Sequence, residues 1–136
     1  MLRAFVLAAA ACAVLGLTGK ASAFPTFFKV WINTCLEDCD QEYKDVIVKE
    51  AKCWTCHQGK SKHHHNVYGI HFVGEIGKAD QKDDAKIIET IKKVNEMHSD
   101  PKDDKSPTYG EMIAAGKLPF GSVDEAKEEP KESESN

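Results

Sequence analysis

The sequence predicts an all-α domain of about three helices. Three observations carry that expectation. Apolar residues recur at three- and four-residue steps through residues 40–54 and again through 80–98, the spacing that lines one face of a helix. Thr108 and Glu111 stand three positions apart at the head of a further short apolar run, as in a capping box. Between the first two stretches, Gly69, Gly74 and Gly77 interrupt any long regular element, so that part reads as loop.

Ahead of the domain, residues 1–23 read as an export leader, a signal peptide. Met1-Leu2-Arg3 is a short positive start, residues 4–17 are apolar, and Ala21-Ser22-Ala23 is a small-residue cleavage site. An apolar run of 14 residues falls short of the ~20 that span a bilayer, so no membrane anchor is expected. The periplasm or an equivalent extracytoplasmic compartment follows as the location. Cleavage after Ala23 removes Cys12, Arg3 and Lys20, which moves the formal charge from -4 to -6. That balance disfavours nucleic acid and anionic membrane surfaces, and suits a soluble protein that docks on a basic patch. The domain itself is read as residues 24–121. Residues 122–136, charged and almost without apolar side chains, are expected to be a disordered acidic tail.

The domain opens on an aromatic stretch, with Phe24, Phe27, Phe28 and Trp31 inside eight residues. Rings this dense are expected to pack over the core. The first helix then covers residues 40–54, with Tyr43, Val46, Ile47, Ala51 and Trp54 on one face and Lys44, Asp45 and Lys49 outside. Asp38 or Asp40 can cap its start. Its far end delivers Cys53-Trp54-Thr55-Cys56-His57.

Two cysteines separated by two residues and followed at once by histidine form the C-x-x-C-H signature of covalent haem attachment. The thiols of Cys53 and Cys56 would add to the haem vinyl groups as thioethers, and the imidazole of His57 would become the proximal iron ligand. A bare C-x-x-C is also found in redox dithiols and in half of a zinc site. No second C-x-x-C follows, although His63, His64 and His65 could complete a zinc site, and no strand-helix-strand pattern surrounds the motif. The expected cofactor is one covalent haem c; a zinc-binding exported protein is the non-haem alternative.

Around this motif the chain resembles a known group. The run from Cys53 through Cys56-His57-Gln58-Gly59-Lys60-Ser61-Lys62 to Asn66-Val67-Tyr68-Gly69, then an amphipathic helix and Ser106-Pro107-Thr108-Tyr109-Gly110-Glu111, is similar to the small monohaem cytochromes c of planctomycete-type bacteria. The resemblance covers most of the mature chain, and only the haem motif within it is specific. It implies a cytochrome c-like domain whose helices pack around the haem. Some cytochromes that the chain resembles work as paired subunits with a cysteine on the distal side of the iron, which implies a second small cytochrome subunit as partner.

Beyond the motif, residues 58–78 are read as loop, with Lys60, Lys62 and His63 to His65 forming a basic patch in an acidic protein. The plain reading is a solvated loop, a docking patch for an acidic partner. His71, inside an apolar insert, is read first as a satisfied core histidine. The second helix covers 80–98, with Ala85, Ile88, Ile91, Val94 and Met97 on one face, Asp80 or Asp83 as cap and Pro101 as stop. The third runs from Tyr109 to Ala115 and ends at Gly116.

The distal iron position stays open. Cys35 and Cys39 remain once the leader and motif cysteines are set aside, and an oxidising compartment allows three uses: a short disulfide, a thiolate ligand to the iron, or a link to a partner. Cys35 has more slack than Cys39 to turn back towards the iron. Met97 at the end of the second helix is the other candidate, since methionine opposite histidine is common in electron carriers. The expected function is therefore an exported monohaem cytochrome carrying single electrons to a redox partner protein. A haem-based gas-binding (NO/CO) or regulatory subunit is the alternative. No acid-base constellation appears beyond the loop histidines, so the chain is not read as an enzyme.

Overall fold

A computed structural model describes residues 25–130. Helix α1 is Pro25–Cys35. Proline at the first helical position suits a helix start, because its missing N–H would have no partner there anyway. Val30 and Trp31 are buried on this helix, and Phe27 meets Phe72 edge-on with ring centroids 5.2 Å apart. Phe27, Phe28 and Trp31 thus pack onto the core, while Phe24 lies outside the described residues.

Helix α2, Gln41–Asp45, starts at Asp40, whose carboxylate accepts from the Tyr43 N–H at 2.8 Å. Without a break it widens into a π-helical turn, Val46–Ala51, and then tightens into a 3-10 turn, Lys52–Thr55. The reason is visible in burial. Tyr43, Ile47, Ala51 and Thr55 are the buried positions of this stretch, at 5 %, 0 %, 0 % and 0 % exposure, and they recur at every fourth residue. In a regular α-helix a four-residue step drifts by about 40°. A wider turn holds all four on one side, so Trp54, expected on the buried face, is turned partly outward.

The chain then forms a two-stranded antiparallel sheet, β1 His57–Gln58 with β2 His64–His65, pairing His57 with His65 and Gln58 with His64. Gly59 at φ +78° and Lys62 at φ +58° reverse it in between. A 3-10 turn, Gly69–Phe72, leads through a second, Lys78–Asp80, to α3, Asp84–Asn95. Asp83 caps α3 by accepting from Lys86 N–H at 3.0 Å. Its buried stripe is Ile87, Thr90, Ile91 and Val94, rotated from the expected one, with Ala85 outside. Helix α4, Tyr109–Ala114, carries the expected capping box: Thr108 Oγ1 accepts from Glu111 N–H at 3.1 Å, and Glu111 Oε2 accepts from Thr108 N–H at 2.8 Å. Gly116, at φ +69°, ends it.

Three expectations are corrected. The all-α domain of about three helices is a mixed structure, with five α-helices among the described residues, 53 % helix, and the small sheet. Two-residue strands carry no periodic signal, and the sheet depends on backbone reversals at Gly59 and Lys62 that hydrophobic spacing does not report. No haem-binding fold is shown among the described residues either: the core consists of protein side chains, with Trp31, Tyr68, Ile47, Ile87 and Ile91 at its centre. The tail expected to be disordered from residue 122 contains a further helix, α5 Val123–Lys127. Ser122 and Glu125 form its capping box and Ala126 is 3 % exposed, a local signal that the charged composition masked. The leader expected at 1–23 and the last part of that tail, 131–136, lie outside the described residues. No helix among the described residues is long and apolar enough to cross a membrane.

Candidate functional site

The loop from Cys53 to His57 sits where the widened helix meets the sheet. Its backbone is tied down by one side chain. Asn66, 4 % exposed, donates from Nδ2 to the carbonyls of Trp54 at 2.8 Å and His57 at 3.3 Å. Its Oδ1 accepts from the N–H groups of Tyr68 at 3.1 Å and Gly69 at 2.8 Å. Asn66 N–H adds a bond to the Cys56 carbonyl at 3.1 Å. Both donors and both lone-pair sites of the amide are used, so the side chain joins two turns as a rigid cross-brace. Gly69 completes the fit, because a Cβ there would overlap the Cys56 carbonyl.

Within this frame the three motif residues differ. Cys53 is exposed, whereas the Cys56 thiol is shut in, and burial with the charges of Cys35 and Cys53 pushes it up to about 12. The ring of His57 lies 4.8 Å from that of its strand partner His65. Burial holds His57 below the ordinary imidazole value; the carbonyls of His64 and Lys62 pull the other way, and the Lys62 charge adds to the lowering. Two buried polar atoms here have no hydrogen-bond partner, Thr55 Oγ1 and His57 Nδ1.

The distal candidates are placed apart from each other. Cys35 ends α1 close enough to Cys56 for its charge to act there. Its thiol accepts from Asn95 Nδ2 at 3.4 Å, and burial, eased by that bond and reinforced by the Cys39 charge, pushes it up to about 11. Cys39 instead donates its S–H towards the Ile113 carbonyl at 3.6 Å. Met97 is 39 % exposed and lines a surface hollow with His98, Asp100, Pro101, Lys102 and Asp104, none of them a motif residue. Of the loop histidines, His63 and His64 are exposed, while His71 Nε2 meets Tyr109 Oη at 3.2 Å. No three His, Cys, Asp or Glu side chains among the described residues converge as a metal site would require.

Several contributors were not visible as such in the sequence. Trp54 Nε1 donates to the Gly59 carbonyl at 3.1 Å, and its ring lies beneath two ammonium groups, Lys62 Nζ at 4.8 Å and Lys127 Nζ at 5.4 Å from the centroid. Lys127 belongs to α5, so the supposed tail forms one wall of the site. Behind the loop, Tyr68 Oη accepts from Trp31 Nε1 at 2.8 Å and donates to Asn95 Oδ1 at 2.8 Å. The chain matches no described protein family, no curated protein and no solved structure.

Proposed function

We propose that the protein is an exported monohaem c-type cytochrome, carrying single electrons through one haem joined to Cys53 and Cys56 and bound at the iron by His57. The observation that supports this most is the form of the 53–57 loop. Its backbone is braced by Asn66, while Cys53 faces solvent and the His57 ring has a buried nitrogen without a partner. A buried, unpaired ring nitrogen is costly. Ligation of a metal by the imidazole would satisfy such a nitrogen. The donor set, two thiols and a neighbouring imidazole, fits covalent haem.

When bound, such a group supplies a reversible one-electron iron couple. The chain's own residues do the rest. Asn66 and Gly69 fix the loop backbone, and His65 packs on the ring of His57. Lys62 and Lys127 set positive charge around Trp54. Cys35 and Met97 remain the candidates for the distal position.

A reduced pyridine-haem spectrum of matured protein is the test. A covalent c-type spectrum, lost in Cys53→Ala/Cys56→Ala, is expected; colourless protein with both thiols free would overturn the reading. Electron paramagnetic resonance of Cys35→Ala and Met97→Ala then identifies the distal ligand. The gas-binding reading is favoured by one observation: Met97 is exposed and the Cys35 thiol is held protonated by burial, so neither is poised as a firm ligand. A fast spectral change of the reduced protein with carbon monoxide would select it over the pure electron carrier.

A further inference from the structure

The turn that joins the two strands holds a carboxylate. Gly59, in left-handed backbone at φ +78°, brings the Lys60 N–H to Glu129 Oε1 at 2.9 Å. The fit is close enough that a Cβ on Gly59 would collide with that carboxylate. Gly59 N–H also donates to the Ala126 carbonyl at 2.9 Å, and Lys62 N–H closes the turn onto the Gly59 carbonyl at 3.2 Å. A tight turn with a left-handed residue and an outward N–H is the kind of backbone concavity that binds anions. Around it stand Lys60, Lys62, His63 and His64, a concentration of basic groups in a chain of formal charge -4.

We propose that the 59–62 turn is a carboxylate-recognition site, occupied by Glu129 of the same chain, at which an acidic segment of a partner protein docks by displacing that carboxylate. The inference does not rest on the haem reading, since it uses only backbone geometry and charge. Glu129 is exposed, and its bond to Lys60 N–H is charge-assisted, yet an exposed contact of this kind contributes little on its own. Its advantage is tethering, which gives an effective concentration on the order of millimolar. A single free carboxylate therefore competes poorly. A segment with several carboxylates engages Lys60, Lys62 and the exposed histidines together and can replace it.

The probe is a hexaglutamate peptide added to the full mature chain, with sodium acetate as the free-anion control. Binding is read from the Lys60 amide resonance and from the fluorescence of Trp54, whose ring lies beneath Lys62. Wild type is expected to bind weakly, and Glu129→Ala at least about threefold tighter because its competitor is gone. Adding Lys60→Glu and Lys62→Glu to that variant is expected to weaken binding about tenfold or more, and salt to weaken it throughout. Acetate at the same carboxylate concentration should leave the Lys60 resonance unmoved. Equal affinity of wild type and Glu129→Ala, binding to neither, or shifts that map away from 59–62 would each overturn the proposal. Glu129 is exposed, so its replacement does not put folding at risk.

Discussion

Asn66 illustrates how one side chain sets the form of a loop. Replacing it with alanine leaves the N–H groups of Tyr68 and Gly69 and the carbonyls of Trp54 and His57 without their partner. Each unsatisfied buried group costs about 1–3 kcal/mol. Asn66→Ala is therefore expected to lower the free energy of unfolding by at least about 2 kcal/mol in a denaturant titration, and Asn66→Asp is expected not to rescue it, because a carboxylate oxygen would face the carbonyls of Trp54 and His57 where the amide donates. The thiols offer a second check. In protein without attached haem, a neutral-pH alkylating reagent should modify Cys53 first, because it is exposed, while Cys56 and Cys35, raised to about 12 and about 11 by burial, lag far behind. Equal rates at Cys53 and Cys56 would contradict the loop geometry. Cys53, Cys56 and His57 are legible as a motif because their spacing matches the C-x-x-C-H signature. Asn66 carries no such signature, since its work is done through backbone bonds. Its position three residues before Gly69 is the only local hint.

Among the elements, the helix through Tyr43 and Ile47 was readable from spacing and its widening was not. The four-residue repeat of Tyr43, Ile47, Ala51 and Thr55 lies in the sequence, but a three- or four-residue rule accepts it as an ordinary helix. The caps were more informative. Thr108 and Glu111 predicted α4, and the same pattern at Ser122 and Glu125 was passed over because its surroundings are charged. Ser122→Ala should remove the N-cap of α5 at a cost of about 1 kcal/mol. Because α5 carries Lys127 over Trp54, the loss is expected as a change in Trp54 emission with the far-ultraviolet circular dichroism almost unchanged. Identical emission would show that the segment closes without its cap.

For the whole molecule, the core is closed by side chains, with Trp31, Tyr68 and Asn95 linked by hydrogen bonds at its centre. Two of its thiols make stability depend on alkaline pH. Cys35 and Cys56 hold their protons above the ordinary value of 9.0, to about 11 and about 12, so between those limits the folded chain binds more protons than the unfolded one. Stability conferred by these groups is then whole below pH 9 and falls as pH rises, by about 1.4 kcal/mol per unit for each thiol. Chemical unfolding from pH 8 to 10.5 checks this. Protein whose Cys56 is a thioether should show the smaller slope, since only Cys35 then titrates among the two.

The join between Gly59 and Ala126, and between Lys60 and Glu129, spans about half the chain. Polypeptides emerge amino end first, so the motif and its Asn66 brace are made well before the segment that walls in Trp54. The site is thus open on one side until residues 126–129 pack across the turn that follows the motif.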